Sequence, residues 1–242
     1  MKNKVVVLGA GPPEGIGAAV ANRFAREGLH VFISGRAIEK VEESAEKIVA
    51  EGGSAQAMRV DVTSQEDIET LFDSVWAHEG DLKAVIFNAG GNTPDAFEDL
   101  SPDAFEQVWR VCCYGAFLAA KQALPIMRTQ GSGTMLFTGA SASLRGKPNF
   151  AQFASAKAAL RNLVQALARE YGPNGVHIAH IVIDGLVDGE RAASLFGEHL
   201  DKLGPDGTLK PDDIASAYWM LHRQPRSTWT HELDLRPFSE AW

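Results

Sequence analysis

The chain has 242 residues, 45% hydrophobic and 22% charged, the profile of one large α/β unit of a soluble protein. A formal net charge of −8, with no basic stretch interleaved with aromatics, argues against nucleic acid and anionic membrane as partners. The two cysteines, Cys112 and Cys113, are adjacent, too few and too close for a disulfide framework or a zinc site, so no metal is expected.

The opening MKNKVVVLGAGPPEG carries lysines and a short apolar run, as signal peptides do. Pro12, Pro13 and Glu14 break that run and no small-residue cleavage pattern follows, so it reads as a first strand. No apolar stretch is long enough to cross a bilayer, and the cytoplasm is the expected location. KVVVLGAG is continuously apolar, as a parallel strand buried on both faces must be. Ile16, Ala19, Val20 and Phe24 then recur at helical spacing until Gly28. LHVFISG predicts a second strand, and Ile38, Val41, Ala45 and Ile48 a helix ended by Gly52 and Gly53.

AQAMRVDV predicts the third strand. TSQE after it reads as a capping box, with Thr63 at the N-cap and Glu66 at the third helical position, and turns Ile68, Leu71, Phe72, Val75 and Trp76 inward. AVIFNAG is the fourth strand; Ser101 and Pro102 open a long helix, Pro102–Arg128, in cap and first-turn order. GTMLFTG is the fifth strand, and an alanine-rich helix over Phe153–Tyr171 closes at Gly172 and Pro173. VHIAHIVIDG is the sixth strand; a helix from about Pro211 and a strand near THELDLRP finish the chain. Such βα alternation implies a parallel sheet covered by helices on both faces. Its ligand site belongs at the carboxyl ends of the strands, where strand order reverses.

Directly after the first strand comes GAGPPEGIG. The strict G-x-G-x-x-G spacing fails at Glu14, but G-x-x-x-G-x-G fits Gly11, Gly15 and Gly17. Glycines there let the backbone approach a pyrophosphate seated on the N-terminus of the helix that begins near Gly15 and Ile16. A glycine-rich turn serving only helix–strand packing is the alternative; position at the first strand–helix junction favours the nucleotide. The second strand ends in Ser34–Gly35–Arg36, without the acidic residue that bonds ribose hydroxyls in NAD sites. Arg36 suits a 2′-phosphate, so NADP(H) is the expected cofactor and NAD(H) the alternative, with Glu14 as an opposing charge.

With that loop, Asn88–Ala89–Gly90 and Lys157 assembled, the chain resembles the short-chain dehydrogenase/reductase family over essentially its full length. The resemblance implies a single Rossmann-type doubly wound domain over residues 1–242. It further implies a seven-stranded parallel sheet of order 3-2-1-4-5-6-7 and a substrate-covering segment at about 186–210. Gly9 matches the family's first glycine, and Asp61, followed by Val62, the aspartate that contacts adenine. Asn88, Ala89 and Gly90 match the NAG motif, and Lys157 the lysine that binds the nicotinamide ribose. It also implies a homodimer or homotetramer built through the two long helices.

The resemblance stops at proton handling. The family tyrosine falls on Phe153, the serine on Ala140 and the asparagine on Cys112, while the proline before the final glycine becomes Asp184. Ser141 stands next to the vacated serine position, and Asp184, beside apolar IVI, is a candidate acid if burial raises its pKa; a turn cap is its plainer role. Asp188 and Glu190 lie further along, in a loop that solvent suits as well. His177 and His180 have odd spacing in a strand, so they face opposite ways. The expected function is an NADP(H)-dependent oxidoreductase for a small carbonyl, alcohol or activated alkene with a non-standard site. A cofactor-binding protein without turnover, a redox sensor or assembly partner, is the rival.

Overall fold

The computed structural model describes residues 2–91, 93–189, 194, 203–204 and 206–240. Seven strands, β1 (Lys4–Leu8), β2 (His30–Gly35), β3 (Ser54–Arg59), β4 (Leu82–Phe87), β5 (Gly133–Thr138), β6 (Val176–Ile183) and β7 (Glu232–Leu235), form one sheet. Its order is β3-β2-β1-β4-β5-β6-β7, and all pairs are parallel. β1 and β6 are buried at every position, which is why their sequences are apolar runs without alternation.

Alternate residues still go to opposite faces. Val6 and Leu8 join Leu71, Phe72, Ala119 and Leu160 in one core. Val5 and Val7 join Val20, Phe24, Val41, Ile48 and Tyr218 in the other. The first core is roofed by α3 (Gln65–Ala77), α5 (Gly115–Gln130) and α6 (Ala151–Tyr171), with α4 (Pro102–Trp109) packed outside against α6. The second is covered by α1 (Ile16–Arg26), α2 (Ile38–Ala50) and α7 (Pro211–His222). The direction of sheet growth reverses between β1 and β4, so the crevice opens where Gly9 and Asn88 leave those strands.

Two local expectations change. The cap of α3 is Ser64, whose Oγ accepts the Asp67 N–H at 3.1 Å. Thr63 is unavailable because its hydroxyl donates to Asp61 Oδ1 at 2.8 Å. The single long helix from Pro102 is broken by a π-helical turn, Arg110–Tyr114, between α4 and α5. That extra residue turns Cys112 into the protein, fully buried, and lets Gly115 pass against the Val62 carbonyl, 2.9 Å from where a Cβ would stand.

Candidate active site

The glycines of the first loop divide the work. Gly9 has φ +87°, and a Cβ there would sit 2.4 Å from the Ala89 backbone. Gly17 is similarly closed, 2.8 Å from Ala10 Cα and 2.9 Å from Gly9 O. These two hold β1, β4 and α1 together, the packing role the sequence left open. Gly35 belongs with them, since its Cβ would lie 2.3 Å from Ala10 O. Gly11 differs: among the described residues nothing lies within 4 Å of its side-chain direction. Gly15 is the N-cap of α1 and brings no side-chain cap, so the first-turn N–H groups from Ile16 onward are left for an outside acceptor. An open Gly11 beside an uncapped helix start is a fitting cradle for a dinucleotide's phosphates.

Arg36 is exposed at the end of β2, beyond Gly35. Glu14 is exposed at the tip of the glycine loop. Asp61 accepts the Thr63 N–H at 2.9 Å as well as its hydroxyl. Burial opposes its charge, but those two bonds and the cations of Arg36 and Arg59 hold its carboxyl below the ordinary range. Val62 is buried against α5.

The Asn88 side chain is engaged inside the protein: its Nδ2 donates to Gly9 O at 2.9 Å, and its Oδ1 accepts from Thr138 Oγ1 at 2.9 Å. It thereby places Gly9. Thr138 Oγ1 also meets the Tyr218 hydroxyl at 2.7 Å, tying α7 to the same point.

At the far side of the crevice Gly90, Lys157 and Cys112 converge. A Cβ on Gly90 would be 3.2 Å from Lys157 Nζ and 3.7 Å from Cys112 Sγ. Lys157 is 3% exposed and donates to the Thr138 carbonyl at 2.7 Å. Burial pulls its pKa down, and the neighbouring Cys112 thiol partly restores it. The Phe153 ring stands with its centroid 5.7 Å from that ammonium. An aromatic ring without a hydroxyl lies there, and it brings no proton.

Asp184 is a correction. Its carboxylate is 2% exposed and accepts two bonds from Arg145 NH2, at 2.8 and 3.0 Å, with Arg236 NH2 at 3.2 Å. Both oxygens face guanidinium donors, so the group is an ion-pair anchor. It does not cap the turn before Gly185 either; its backbone N–H goes to Leu235 O at 2.8 Å. Ser141 is half-buried and opens the turn after β5, with its carbonyl accepting from Leu144 and Arg145 at 3.0 Å each. The backbone N–H of Asp188 pairs with Leu209 O at 2.9 Å, while Glu190 and much of 186–210 lie outside the described residues.

The sequence reading missed a polar chain beneath that turn. Arg161 holds Glu232 with Nε–Oε2 at 2.6 Å and NH2–Oε1 at 2.7 Å. Glu232 Oε2 meets His180 Nδ1 at 3.0 Å, and His180 Nε2 meets Ser143 Oγ at 3.3 Å. Ser143 Oγ also accepts the Ala140 N–H at 3.2 Å. His177, by contrast, stacks on Trp229 at 5.0 Å, on the other side of the strand as its spacing requires. The available signal was a histidine inside a continuous apolar strand, which must find a buried partner. Among the described residues no group of three or more His, Cys, Asp or Glu is placed to hold a metal.

A doubly wound sheet with an open glycine at its first crossover and a buried lysine across the crevice defines a dinucleotide-binding α/β protein. Comparison makes the class narrower. Residues 9–232 match the family model described as enoyl-(acyl carrier protein) reductase. A short-chain dehydrogenase from Rhodopseudomonas palustris is 35% identical, with a TM-score of 0.84 and coverage of 98% of this chain and 99% of that one. An alcohol dehydrogenase from Thermococcus sibiricus, solved with 5-hydroxy-NADP, is 26% identical at a TM-score of 0.85, covering 100% and 99%. An uncharacterised oxidoreductase of Listeria monocytogenes is 28% identical over 100% of this chain and 99% of its own. The chain belongs to the short-chain dehydrogenase/reductase family, and the relatives it matches are named as dehydrogenases and oxidoreductases.

Proposed function

We propose that the protein is an NADP(H)-dependent oxidoreductase acting on a small carbonyl, alcohol or activated alkene through a non-standard active site. The observation that carries this reading is the buried Lys157 ammonium beside Gly90 and the Phe153 ring, in a chain whose first loop keeps an open Gly11. A bound nicotinamide would supply or accept hydride there. Gly11, Gly15 and Ile16 would seat its phosphates, Asp61 and Val62 its adenine, Ala89 and Gly90 its middle, and Lys157 its ribose. Arg36, without an acidic neighbour at the end of β2, suits the 2′-phosphate of NADP(H) better than NAD(H). Segment 186–210 would close over the substrate. Phe153, Ala140 and Cys112 stand where relatives handle protons, so a conjugated C=C, which needs less of an acid on oxygen, suits the pocket well.

The same loss favours a second reading, a cofactor-binding protein without turnover, because the ion pairs of Asp184 remove the nearest carboxyl as a proton source. The test is to titrate NADPH and NADH by fluorescence and then screen alcohols, carbonyls and enoyl thioesters at the nicotinamide absorbance band. Tight binding of NADPH with turnover is the expected result. Tight binding with none across the panel hands the case to the second reading. The free thiols Cys112 and Cys113 suit a cytoplasmic location. Phe105, Trp109 and Phe117, exposed at 38%, 38% and 43%, suit burial in a homodimer or homotetramer through α4 and α5.

A further inference from the structure

The chain Arg161–Glu232–His180–Ser143 has a definite proton order. Glu232 is gripped by two guanidinium nitrogens, and its carboxyl is held below the ordinary range, first by the bond from Arg161. A carboxylate only accepts, so the proton between it and His180 sits on Nδ1. The neutral ring then presents Nε2 as an acceptor, and the Ser143 hydroxyl is the donor that faces it. Acid, imidazole and hydroxyl in that order make a hydroxyl into a proton conduit. The imidazole is seated firmly, fully buried, with Nε2 only 2.3 Å from where a Cβ on Gly139 would be. Ser143 Oγ, through its bond to the Ala140 N–H, lies one hydrogen bond from the position vacated by the family serine.

We propose that Ser143, His180 and Glu232 are a general-base relay that takes the hydroxyl proton of an alcohol seated against Ala140. The proposal rests on the oxidoreductase reading above and supplies that reading's missing proton path. In the step, the substrate O–H bond breaks and its proton joins Ser143 Oγ, directly or through one water. The serine's own proton passes to His180 Nε2. A nicotinamide oxidant held in the crevice would take the carbinol C–H pair as hydride, and the O–H electrons would become the second C–O bond. His180, fully buried and now imidazolium against Glu232, gives its proton back through Ser143 to water in the crevice once the product has left. Reduction runs the same path backward.

The charged groups facing His180 are Glu232 from β7 and Lys157 and Arg161 from α6. Burial dominates and the two cations add to it, outweighing Glu232 and holding the ring near pKa 4, so it is a neutral base at neutral pH. Ser143 is the group that touches substrate; Glu232 and Arg161 position the imidazole.

The experiment compares the wild type with Ser143→Ala and Ser143→Thr, which disturb the fold little, and with Glu232→Gln. NADP⁺ affinity is read by fluorescence, alcohol oxidation by kcat against pH, and the His180 tautomer by ¹⁵N NMR of the apo protein. The expected result is about a 10²-fold lower kcat in Ser143→Ala at unchanged NADP⁺ affinity, with Thr restoring most of it. One histidine should be an Nδ1–H tautomer in the wild type, with an Nε2 signal that moves in Ser143→Ala. An unchanged kcat and pH profile in Ser143→Ala, or an Nε2–H tautomer, overturns the relay and leaves the oxidoreductase reading standing. NADP⁺ binding with no alcohol oxidised by the wild type also overturns it. Failure to bind any nicotinamide dinucleotide removes both.

Discussion

Around β1 and α1, backbone lies directly on backbone; around β5 and β6, polar side chains from distant elements hold one another. Gly9, Gly17 and Gly35 leave no room for a Cβ, so the cradle's shape is fixed sterically. The turn 140–145 is fixed instead by pairs, Ser143 with His180 and Arg145 with Asp184, each backed from the last strand region by Glu232 or Arg236. Asp184 follows the end of β6, four residues past His180 and so on the same side of the extended chain, which lets both pairs reach the same turn. A steric cradle tolerates almost no substitution. A network of pairs can be chosen anew while the fold persists.

Acid should separate the two kinds of construction most strongly. Burial, the leading cause in each case, holds His30, His180 and His222 near pKa 4, against an ordinary 6.5. Between those values the unfolded chain binds protons that the folded chain refuses, so stability is full above about pH 6.5 and drains as pH falls toward 4. Urea midpoints measured from pH 7 to 4.5 should fall steadily, and His180→Gln should flatten part of the slope. A flat profile would mean the rings are not held neutral.

The next effect tests the steric half. Gly9→Ala forces a methyl to 2.4 Å from the Ala89 backbone at φ +87° and should cost about 3 kcal/mol in denaturant unfolding. Gly11→Ala meets nothing within 4 Å among the described residues and should stay within about 0.5 kcal/mol. Its effect should appear in NADPH affinity. Equal destabilisation by both would erase the division of labour among the loop glycines.

The smallest effect falls where the halves meet. Lys157→Met removes a buried cation along with its bond to the Thr138 carbonyl, losses that oppose each other. Stability should move by no more than about 1 kcal/mol, while NADPH binding weakens roughly tenfold, or about 1.4 kcal/mol. Unchanged affinity in a fluorescence titration would detach Lys157 from the ribose.

The fold was legible because β1, β2, β4, β5 and β6, buried almost throughout, write themselves as local apolar runs, with glycines marking the crossovers. The glycine loop was legible for the same reason: Gly9, Gly11, Gly15 and Gly17 sit within a single nine-residue stretch, whereas Gly35 reaches it from β2. The cap of α3 was misplaced by one residue because Thr63 and Ser64 are both hydroxyl residues, and only the pull of Asp61 on Thr63 decides between them. The proton-handling side was hidden by separation. Ser143 and His180 are 37 residues apart, His180 and Glu232 are 52 apart, and Asp184 finds Arg145 across 39. Nothing local distinguishes a buried carboxylate awaiting a proton from one already facing two guanidinium groups.

The π-turn at 110–114 fits one residue more than a regular helix would accommodate. Excising a single residue there would let ordinary i to i−4 bonding resume, while the segments on either side, already in phase across the π-turn, would keep their faces. The change would fall on the bulge itself, which carries Cys112 on the wall it shares with Gly90 and Lys157. The width of the crevice at its deepest point is therefore set by a count of residues as much as by their identity, and a one-codon deletion could redraw that wall without touching any side chain on it.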